Sequence, residues 1–318
     1  SFSKQFMERH DIPTARFGEF NASQLDEAVQ FLNSFNPPYV IKADGLAAGK
    51  GVLIIDDKQE AADSLKEMLL DRKFGDAGTK VVIEEFLSGI ELSVFVLTDG
   101  KNYKILPTAK DYKRIGEGDK GLNTGGMGAI SPVPFAGPVL LSKIENRIIK
   151  PTIDGLVKDN LPYKGFIFIG LIVVDNEPLV IEYNVRMGDP ETEAVLPRIK
   201  TDLVEVFQAI DNESLDEIQI EIDPQTAVTV MLVSGGYPEA YEKGKQITGL
   251  EDIKESMVFH AGAKNVAGTI LTSGGRVMTV TSYGDDLRSA LKTSYKSIES
   301  IRFEAMNYRT DIGFDLQE

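Results

Sequence analysis

The stretch Val180-Ile-Glu-Tyr-Asn-Val-Arg-Met-Gly-Asp-Pro-Glu191 concentrates more chemistry than any other part of the 318-residue chain. It opens as an apolar strand, Leu179 to Ile181, and runs directly into Glu182, Asn184, Arg186, Asp189 and Glu191. In an extended strand residues i and i+2 face one side, so Glu182 and Asn184 present two hard oxygen donors to a common point. Such donors suit Mg²⁺, which takes one or two protein ligands and completes its shell with water and phosphate. Paired acceptors at a strand end also serve simply as caps. Arg186 has two readings as well: it neutralises a carboxylate or phosphate, or it pairs with Glu191. Gly188 and Pro190 then turn the chain among polar groups, as at the rim of an active site.

The surrounding composition narrows the options. The length allows two domains or one large one, with ample material for a core. Hydrophobic content of 42% and charged content of 26% are those of an ordinary soluble protein. No cysteine is present, which excludes disulfides and thiolate chemistry and agrees with a reducing, cytoplasmic location. The two histidines, His10 and His260, lie far apart, which argues against a histidine zinc site or a catalytic triad. His260 reads as a packed or hydrogen-bonded structural residue. A net charge of −15 argues against broad nucleic-acid binding, yet leaves room for phosphate ligands where lysines and glycines converge. The longest apolar run, Phe166 to Val174, is broken by Gly170 and is too short to cross a bilayer. Ser1 opens no signal peptide, and the absent initiator Met reads as a fragment or processed chain.

Residues 1–12 read as a short helix ended by Ile12-Pro13. Asn21 or Ser23 caps a second helix with Leu25, Ala28, Val29, Leu32 and Phe35 at helical spacing. Strands Tyr39–Ala43 and Val52–Ile55 flank Asp44-Gly-Leu-Ala-Ala-Gly-Lys-Gly51, a hairpin with a glycine-rich, mobile tip. A helix over 58–73, with Ala61, Leu65, Met68 and Leu69 inward, precedes a strand from Lys80 to Phe86. Strands from Glu91 to Thr98 and Asn102 to Leu106 meet at Asp99-Gly100. Residues 107–137 show little periodicity and read as a long, glycine-rich functional loop. A helix over 138–158, interrupted near Pro151, leads to strands Gly165–Val174 and Leu179–Tyr183. Helices at 190–198 and 201–212 follow. Beyond an acidic boundary near Pro224, strands at 227–233, 257–261 and 276–281 and a helix over 285–298 read as a smaller α/β unit.

Three further segments carry candidate chemistry. Lys42 and Lys50 are separated by small residues whose backbone N–H groups can approach a phosphate; the Walker A spacing is lacking, and an ordinary hairpin with surface lysines fits equally well. Glu84-Glu85-Phe86-Leu87 with Glu91 has the makings of a nucleoside clasp, strand-end backbone against a base and Glu91 against ribose, though taken alone it fits a solvated edge better. Asp111, Lys113 and Arg114, followed by Asn123-Thr-Gly-Gly-Met-Gly128, suit an anionic, phosphorylated substrate; a disordered surface loop is the plainer alternative. The Phe and Met stripes are core.

In their order, these segments resemble the ATP-grasp ligases, and within them the glycinamide ribonucleotide synthetases (phosphoribosylamine–glycine ligases). The segments that carry the resemblance are Ile41-Lys-Ala-Asp-Gly-Leu-Ala-Ala-Gly-Lys-Gly-Val52, Glu84-Glu-Phe-Leu87, Asn123-Thr-Gly-Gly-Met-Gly-Ala129, Glu182 to Thr192 and Asp311-Ile-Gly313. The resemblance implies an α/β (α+β) chain: an ATP-grasp fold of two subdomains, at 1–86 and 87–225, then a small C-terminal α/β domain at 226–318. It implies ATP-dependent joining of glycine to 5-phosphoribosylamine through a glycyl phosphate, in purine biosynthesis, with no nucleic-acid or membrane partner. Lys42, Gly49, Lys50, Gly51, Glu84, Glu85, Phe86, Leu87 and Glu91 would bind ATP, and Glu182 and Asn184 would hold Mg²⁺ or Mn²⁺. Asp111, Lys113, Thr124, Gly125, Gly126, Met127, Gly128, Arg186, Gly188 and Asp189 would face glycine and the phosphoribosyl group, with Arg186, Lys50 and Asp111 catalytic. Members of this family begin with a further N-terminal domain that has no counterpart here. The expectation is therefore a fragment with impaired activity, in which Lys4 is not assigned the place of the superfamily's first ATP lysine. Another ATP-grasp carboxylate–amine ligase or carboxylase, or a nucleotide-binding fragment without catalysis, are the alternatives.

Overall fold

The computed structural model describes residues 1–45 and 51–316, and of Asp76 the backbone only. The chain is a mixture of helix and sheet divided into two compact units: Ser1–Ile90 with Ser142–Gly155 and Leu171–Tyr183, and Glu91–Leu141 with Leu156–Gly170 and Asn184–Glu318.

The first unit is built on an antiparallel sheet. Its strands β1 (Phe17–Asn21), β2 (Tyr39–Ala43), β3 (Val52–Ile55) and β4 (Lys80–Glu84) lie in the order β1-β4-β2-β3. Helices α1 (Phe2–Arg9), α2 (Leu25–Phe31) and α3 (Lys58–Leu69) accompany them. The inward stripe of α3, Ala61, Leu65, Met68 and Leu69, buries against Ile41, Val81 and Ile83 together with Ala28, Leu32 and Phe35. Asp57 caps α3 by accepting from the Glu60 amide at 2.8 Å. Strand β1 has no clean apolar alternation and is not apparent in the sequence. It is accommodated because Gly18 lets the Phe31 ring approach, to 2.7 Å from where a Cβ would stand. Strands β2 and β3 form the expected hairpin, with Lys42 opposite Val52. The tip residues 46–50, and with them Gly49 and Lys50, lie outside the described residues.

In the second unit β5 (Ile90–Thr98) pairs with β6 (Tyr103–Ile105) across a turn held by Asp99, whose carboxylate accepts from the Lys101 and Asn102 amides. The reading of residues 107–137 as a loop needs correction. They contain β7 (Lys110–Asp111), β8 (Arg114–Gly116), β9 (Lys120–Asn123) and β10 (Gly128–Ser131), strands too short to show a period. The helix read over 138–158 is Pro138–Ile144 and Lys150–Lys158 joined by a π segment, Glu145–Ile149. Pro151, which lacks an N–H, lies just beyond that break. Strands β11 (Gly165–Val174) and β12 (Glu177–Asn184) turn at Asp175-Asn176, within the Leu171–Tyr183 segment of the first unit, and both turn residues have positive φ, as a tight hairpin turn requires.

The remaining strands are β13 (Thr226–Val233), β14 (Met257–His260), β15 (Ala263–Val266), β16 (Thr269–Thr272) and β17 (Arg276–Gly284), followed by the helix Leu287–Ile298. A five-stranded sheet runs β14-β17-β13-β10-β7, so strands from both sides of Gln225 share one sheet. Its core includes Tyr112, Met127, Ile130, Val230, Val280 and Ile312. His260, expected to be a packed or hydrogen-bonded structural residue, is exposed at the end of β14 and so is not packed.

Removing the fully buried Leu65 side chain should create a cavity beneath α3. Leu65→Ala is expected to cost about 3 kcal/mol in urea unfolding, and Asp57→Ala, which loses only the cap, about 1 kcal/mol. Equal costs would contradict this account of the helix.

Candidate active site

In the first unit the chemistry gathers on a buried carboxylate. In the register of β2 and β4, Val40 lies opposite Glu84 and Lys42 opposite Val82, so Lys42 and Glu84 share one face of the sheet. Lys42 Nζ lies 2.9 Å from Glu84 Oε1, and Lys4 Nζ, brought in by α1, lies 3.0 Å from Oε2. Lys4 also donates to Thr14 Oγ1 at 2.8 Å, and Thr14 in turn donates to the Val180 carbonyl at 2.6 Å. Burial pulls the Lys4 ammonium below its ordinary value, against the opposing pull of Glu84. Two ammonium groups on one carboxylate leave a local excess of one positive charge. Lys42 is the more accessible of the two, its side chain 20% exposed against 5% for Lys4. An anion approaching this face meets a cation that is already fixed in place.

The neighbouring candidates are arranged differently. Glu85 is held in a two-point pair by Arg16, at 2.9 and 3.0 Å, and that pairing keeps its carboxyl below the usual range. Phe86 is exposed and Leu87 half-buried, an apolar surface at the end of β4. Gly51 is buried, its carbonyl accepting from the Ala43 amide at 2.8 Å. Glu182, near the end of β12, is exposed, although Val180 two residues before it is buried.

The second unit holds an acidic cluster. Ser93 and Ala109 exchange backbone hydrogen bonds, so continuing the antiparallel register places Glu91 across from Asp111. Lys113 Nζ reaches Glu91 Oε2 at 2.6 Å and stands 3.9 Å from Asp111 Oδ2. Desolvation works to raise the Glu91 carboxyl, and the Lys113 ammonium together with Lys110 and Arg114 more than offsets it, holding the group low. Glu191, buried at 3% exposure, accepts from Ser93 Oγ at 3.0 Å. Burial, with the Asp111 charge adding to it, pushes the Glu191 carboxyl up to about 7. Burial raises Asp111 as well, against the pull of Lys113.

Two segments of this unit are pinned by a residue that the sequence did not single out. Arg276, at the start of β17, donates to the Gly125 carbonyl at 2.8 Å and to Asp189 Oδ1 and Oδ2 at 2.9 and 3.1 Å. Tyr237 Oη accepts from the Gly125 amide at 3.0 Å. The Asn123–Gly128 segment is tied back to Tyr112 and Lys113. Thr124 Oγ1 donates to the Lys113 carbonyl at 2.8 Å, and the Met127 amide donates to the Tyr112 carbonyl at 2.7 Å. Met127 is fully buried, so its side chain belongs to the core. Arg186 donates to the Met187 carbonyl at 2.9 Å and to Asn184 Oδ1 at 3.3 Å. Ser93, Glu191 as a buried acid, Arg276 and Tyr237 were all missed, since their partners are distant in sequence.

As a metal site, Glu182 and Asn184 supply one carboxylate and one amide oxygen two residues apart on a strand. Among the described residues no group of three His, Asp or Glu side chains forms a closed metal cage. A donor set of that kind suits an ion that takes its remaining ligands from water and phosphate.

The raised Glu191 predicts a pH effect. The folded chain keeps a proton that an unfolded carboxyl releases near its ordinary value of 4.5. Between that pH and about 7 the native state binds more protons, so stability falls as pH rises through the window. Glu191→Gln should flatten the decline in urea-unfolding stability between about pH 5 and pH 7.5; an unchanged slope would place the titration elsewhere.

Comparison with known proteins bears on what these clusters serve. Residues 1–192 match the model of the phosphoribosylglycinamide synthetase ATP-grasp (A) domain, and residues 227–315 match that of the phosphoribosylglycinamide synthetase C domain. A phosphoribosylamine–glycine ligase of Vibrio vulnificus (strain CMCP6) is 43% identical over 317 residues, covering 99% of this chain and 73% of that protein. A bifunctional purine biosynthetic protein of Pichia angusta is 48% identical over 316 residues, covering 98% of this chain and 40% of that protein's length. The crystal structure of the Thermotoga maritima phosphoribosylamine–glycine ligase superposes with a TM-score of 0.88 at 39% identity, covering 98% of this chain and 77% of that one. A biotin carboxylase of Campylobacter jejuni, at 14% identity and a TM-score of 0.70 over 98% of this chain and 68% of that one, shares the fold alone. With both family models matched in order and relatives above 40% identity along its whole length, the chain belongs to the phosphoribosylglycinamide synthetase family of ATP-grasp ligases.

Proposed function

We propose that this chain forms the ATP-grasp and C-terminal parts of a phosphoribosylamine–glycine ligase. It would join glycine to 5-phosphoribosylamine at the expense of ATP, giving glycinamide ribonucleotide, ADP and phosphate in purine biosynthesis. The observation that carries this reading is the family match along nearly the whole chain, which includes every segment with candidate chemistry. The chemistry agrees. A carboxylate is a poor electrophile, so glycine must first become an acyl phosphate, whose phosphate the amine then displaces. In-line phosphoryl transfer needs positioned charge more than a protein nucleophile, and no cysteine or histidine is required.

In this reading Lys42, with Lys50 and the glycines Gly49 and Gly51 of the hairpin, receives the nucleotide phosphates. Glu84, Glu85, Phe86, Leu87 and Glu91 serve the nucleoside side, with Glu84 holding Lys42 in place. Glu182 and Asn184 would hold Mg²⁺ or Mn²⁺, which when bound offsets charge on phosphate oxygens. Asp111, Lys113, the Thr124–Gly128 segment, Arg186, Gly188 and Asp189 serve glycine and the phosphoribosyl group, with Asp111, Arg186 and Lys50 nearest the chemistry. The division into segments 1–86, 87–225 and 226–318 belongs to the same proposal, as does a further N-terminal domain as partner. Among the described residues no helix is long and apolar enough to cross a membrane, and we place the reaction in the cytoplasm.

Titration with MgATP tests the reading directly. The chain should bind nucleotide, and Lys42→Ala should weaken binding about tenfold or more, roughly 1.4 kcal/mol. Glu182→Ala should instead reduce the dependence on added Mg²⁺. A well-folded chain without measurable nucleotide affinity would refute the proposal.

A further inference from the structure

The residues Arg309–Asp315, near the C-terminus, grip the segment 110–119. Lys110 Nζ lies 3.0 Å from Asp315 Oδ2, and Tyr112 Oη donates to Asp315 Oδ1 at 2.8 Å. The Arg309 guanidinium stands over the Tyr112 ring at 5.3 Å, with the Lys110 ammonium at 4.2 Å from the same ring. Arg309 donates to the Arg114 carbonyl at 3.3 Å and to Asp119 Oδ1 at 2.6 Å. The Gly118 amide donates to Asp311 Oδ2 at 2.7 Å, and the Thr310 hydroxyl donates to Glu117. Arg309 is itself locked by Asp311, at 2.7 and 2.8 Å, and its side chain is 1% exposed.

The side chains so held at the start of the segment are Lys110 and Tyr112. Extended backbone sends alternate residues to opposite faces, so the opposite face carries Asp111 and Lys113, together with Glu91. The grip therefore falls on the back of the strand whose front bears the acidic cluster. A buried guanidinium with two carboxylate partners does not relax by small steps, because removing it leaves uncompensated charge and forces rearrangement.

We propose that the tail Arg309–Asp315 is the positioning element for Asp111 and Lys113: by fixing Tyr112 and the turn at 117–119 it sets the depth and direction at which that pair is presented to the small amino-acid or amine substrate. Arg309 and Tyr112 act through their neighbours and touch no substrate. The inference rests on the ligase reading for the task of Asp111 and Lys113, and on contacts alone for the hold of the tail on the segment.

The test compares Arg309→Ala, Arg309→Lys and Tyr112→Phe in the full-length protein, by hydrogen exchange and by steady-state kinetics. In Arg309→Ala, amide exchange over 110–123 should quicken about tenfold or more while β2 and β4 keep their rates. The KM for glycine or for the amine should rise about tenfold with the KM for ATP within about twofold. Lysine lacks the planar fork that meets Asp311 at two points, so Arg309→Lys should restore little, whereas guanidinium added to Arg309→Ala should restore part of the loss. Tyr112→Phe, which removes a single hydrogen bond, should raise the same KM only about threefold. If Arg309→Ala is too unstable to study, Tyr112→Phe and Asp315→Asn decide by the same readouts. Unchanged exchange over 110–123, exchange that quickens evenly through the second unit, or parallel rises in both KM values would overturn the proposal. A wild-type protein showing no glycine-dependent ADP formation would instead sink the ligase reading, and exchange would still decide the hold of the tail.

Discussion

The two-residue period of extended backbone is the constraint on which the chemistry of this protein depends. Lys42 reaches Glu84 because β2 and β4 are paired with Val40 opposite Glu84, which brings both side chains to one face. Asp111 and Lys113 face Glu91 because Tyr112, between them, is committed to the core. A slip of one residue in either strand would exchange the faces and send every one of these groups to the wrong side. The register is therefore specified by apolar side chains. Ile41, Val81 and Ile83 are fully buried in the first unit, and Tyr112, Met127 and Ile130 in the second. Packing of the apolar side chains decides where the charged ones stand.

Three buried ionic groups show how differently such positions can be stabilised. Glu84 is compensated by two lysines, and the surplus positive charge emerges at Lys42. Arg309 is compensated by Asp119 and Asp311 and by the faces of two aromatic rings, Tyr112 and Phe314. Glu191 has a serine hydroxyl in place of a cation, with Asp111 nearby. Burial of an ion costs several kcal/mol even after relaxation, and protonation is the alternative to pairing. Glu191 leans toward that alternative: burial, with the Asp111 charge adding to it, pushes its carboxyl up to about 7.

Much of the fold was legible, and the reasons for the failures are physical. The hairpin β2/β3, helix α3 and strand β11 have the periodicity and flanking turns that local rules require, and their bounds follow closely. Strand β1 and the short strands within 107–137 offer two to five residues each, too few for a period to show. The candidate site was legible in kind but not in its wiring. Lys42 and Glu84 are in the sequence as a strand-end lysine and a strand-end acid, but nothing local joins them. Lys4 is not assigned a role from sequence, and its contact with Glu84 spans 80 positions of the chain. Arg276 stands after Ser273-Gly274-Gly275, an ordinary turn in sequence, and its bonds to Gly125 and Asp189 span 151 and 87 residues. Register and crossing geometry supply those links, and periodicity does not encode them.

The glycines show how such wiring changes the meaning of a motif. Read alone, Gly125, Gly126, Gly128 and Gly188 leave backbone open for a phosphate or an amino acid to approach. In the folded chain each has a neighbour of its own. A Cβ at Gly125 would stand 2.7 Å from the Arg276 guanidinium, at Gly126 2.3 Å from the Pro190 ring, and at Gly188 2.5 Å from the Glu191 carboxylate. Gly126 also has φ of +117°, which side-chain-bearing residues rarely adopt. At Gly128 the obstruction is the Thr229 carbonyl on the neighbouring strand, at 2.7 Å. These residues are thus required by the approach of the protein to itself. That approach brings the arginine, the proline turn and the buried acid together around one stretch of backbone. A glycine-rich loop of this kind carries functional weight through the side chains it admits, which is why the isolated motif says little and the assembled one says much more.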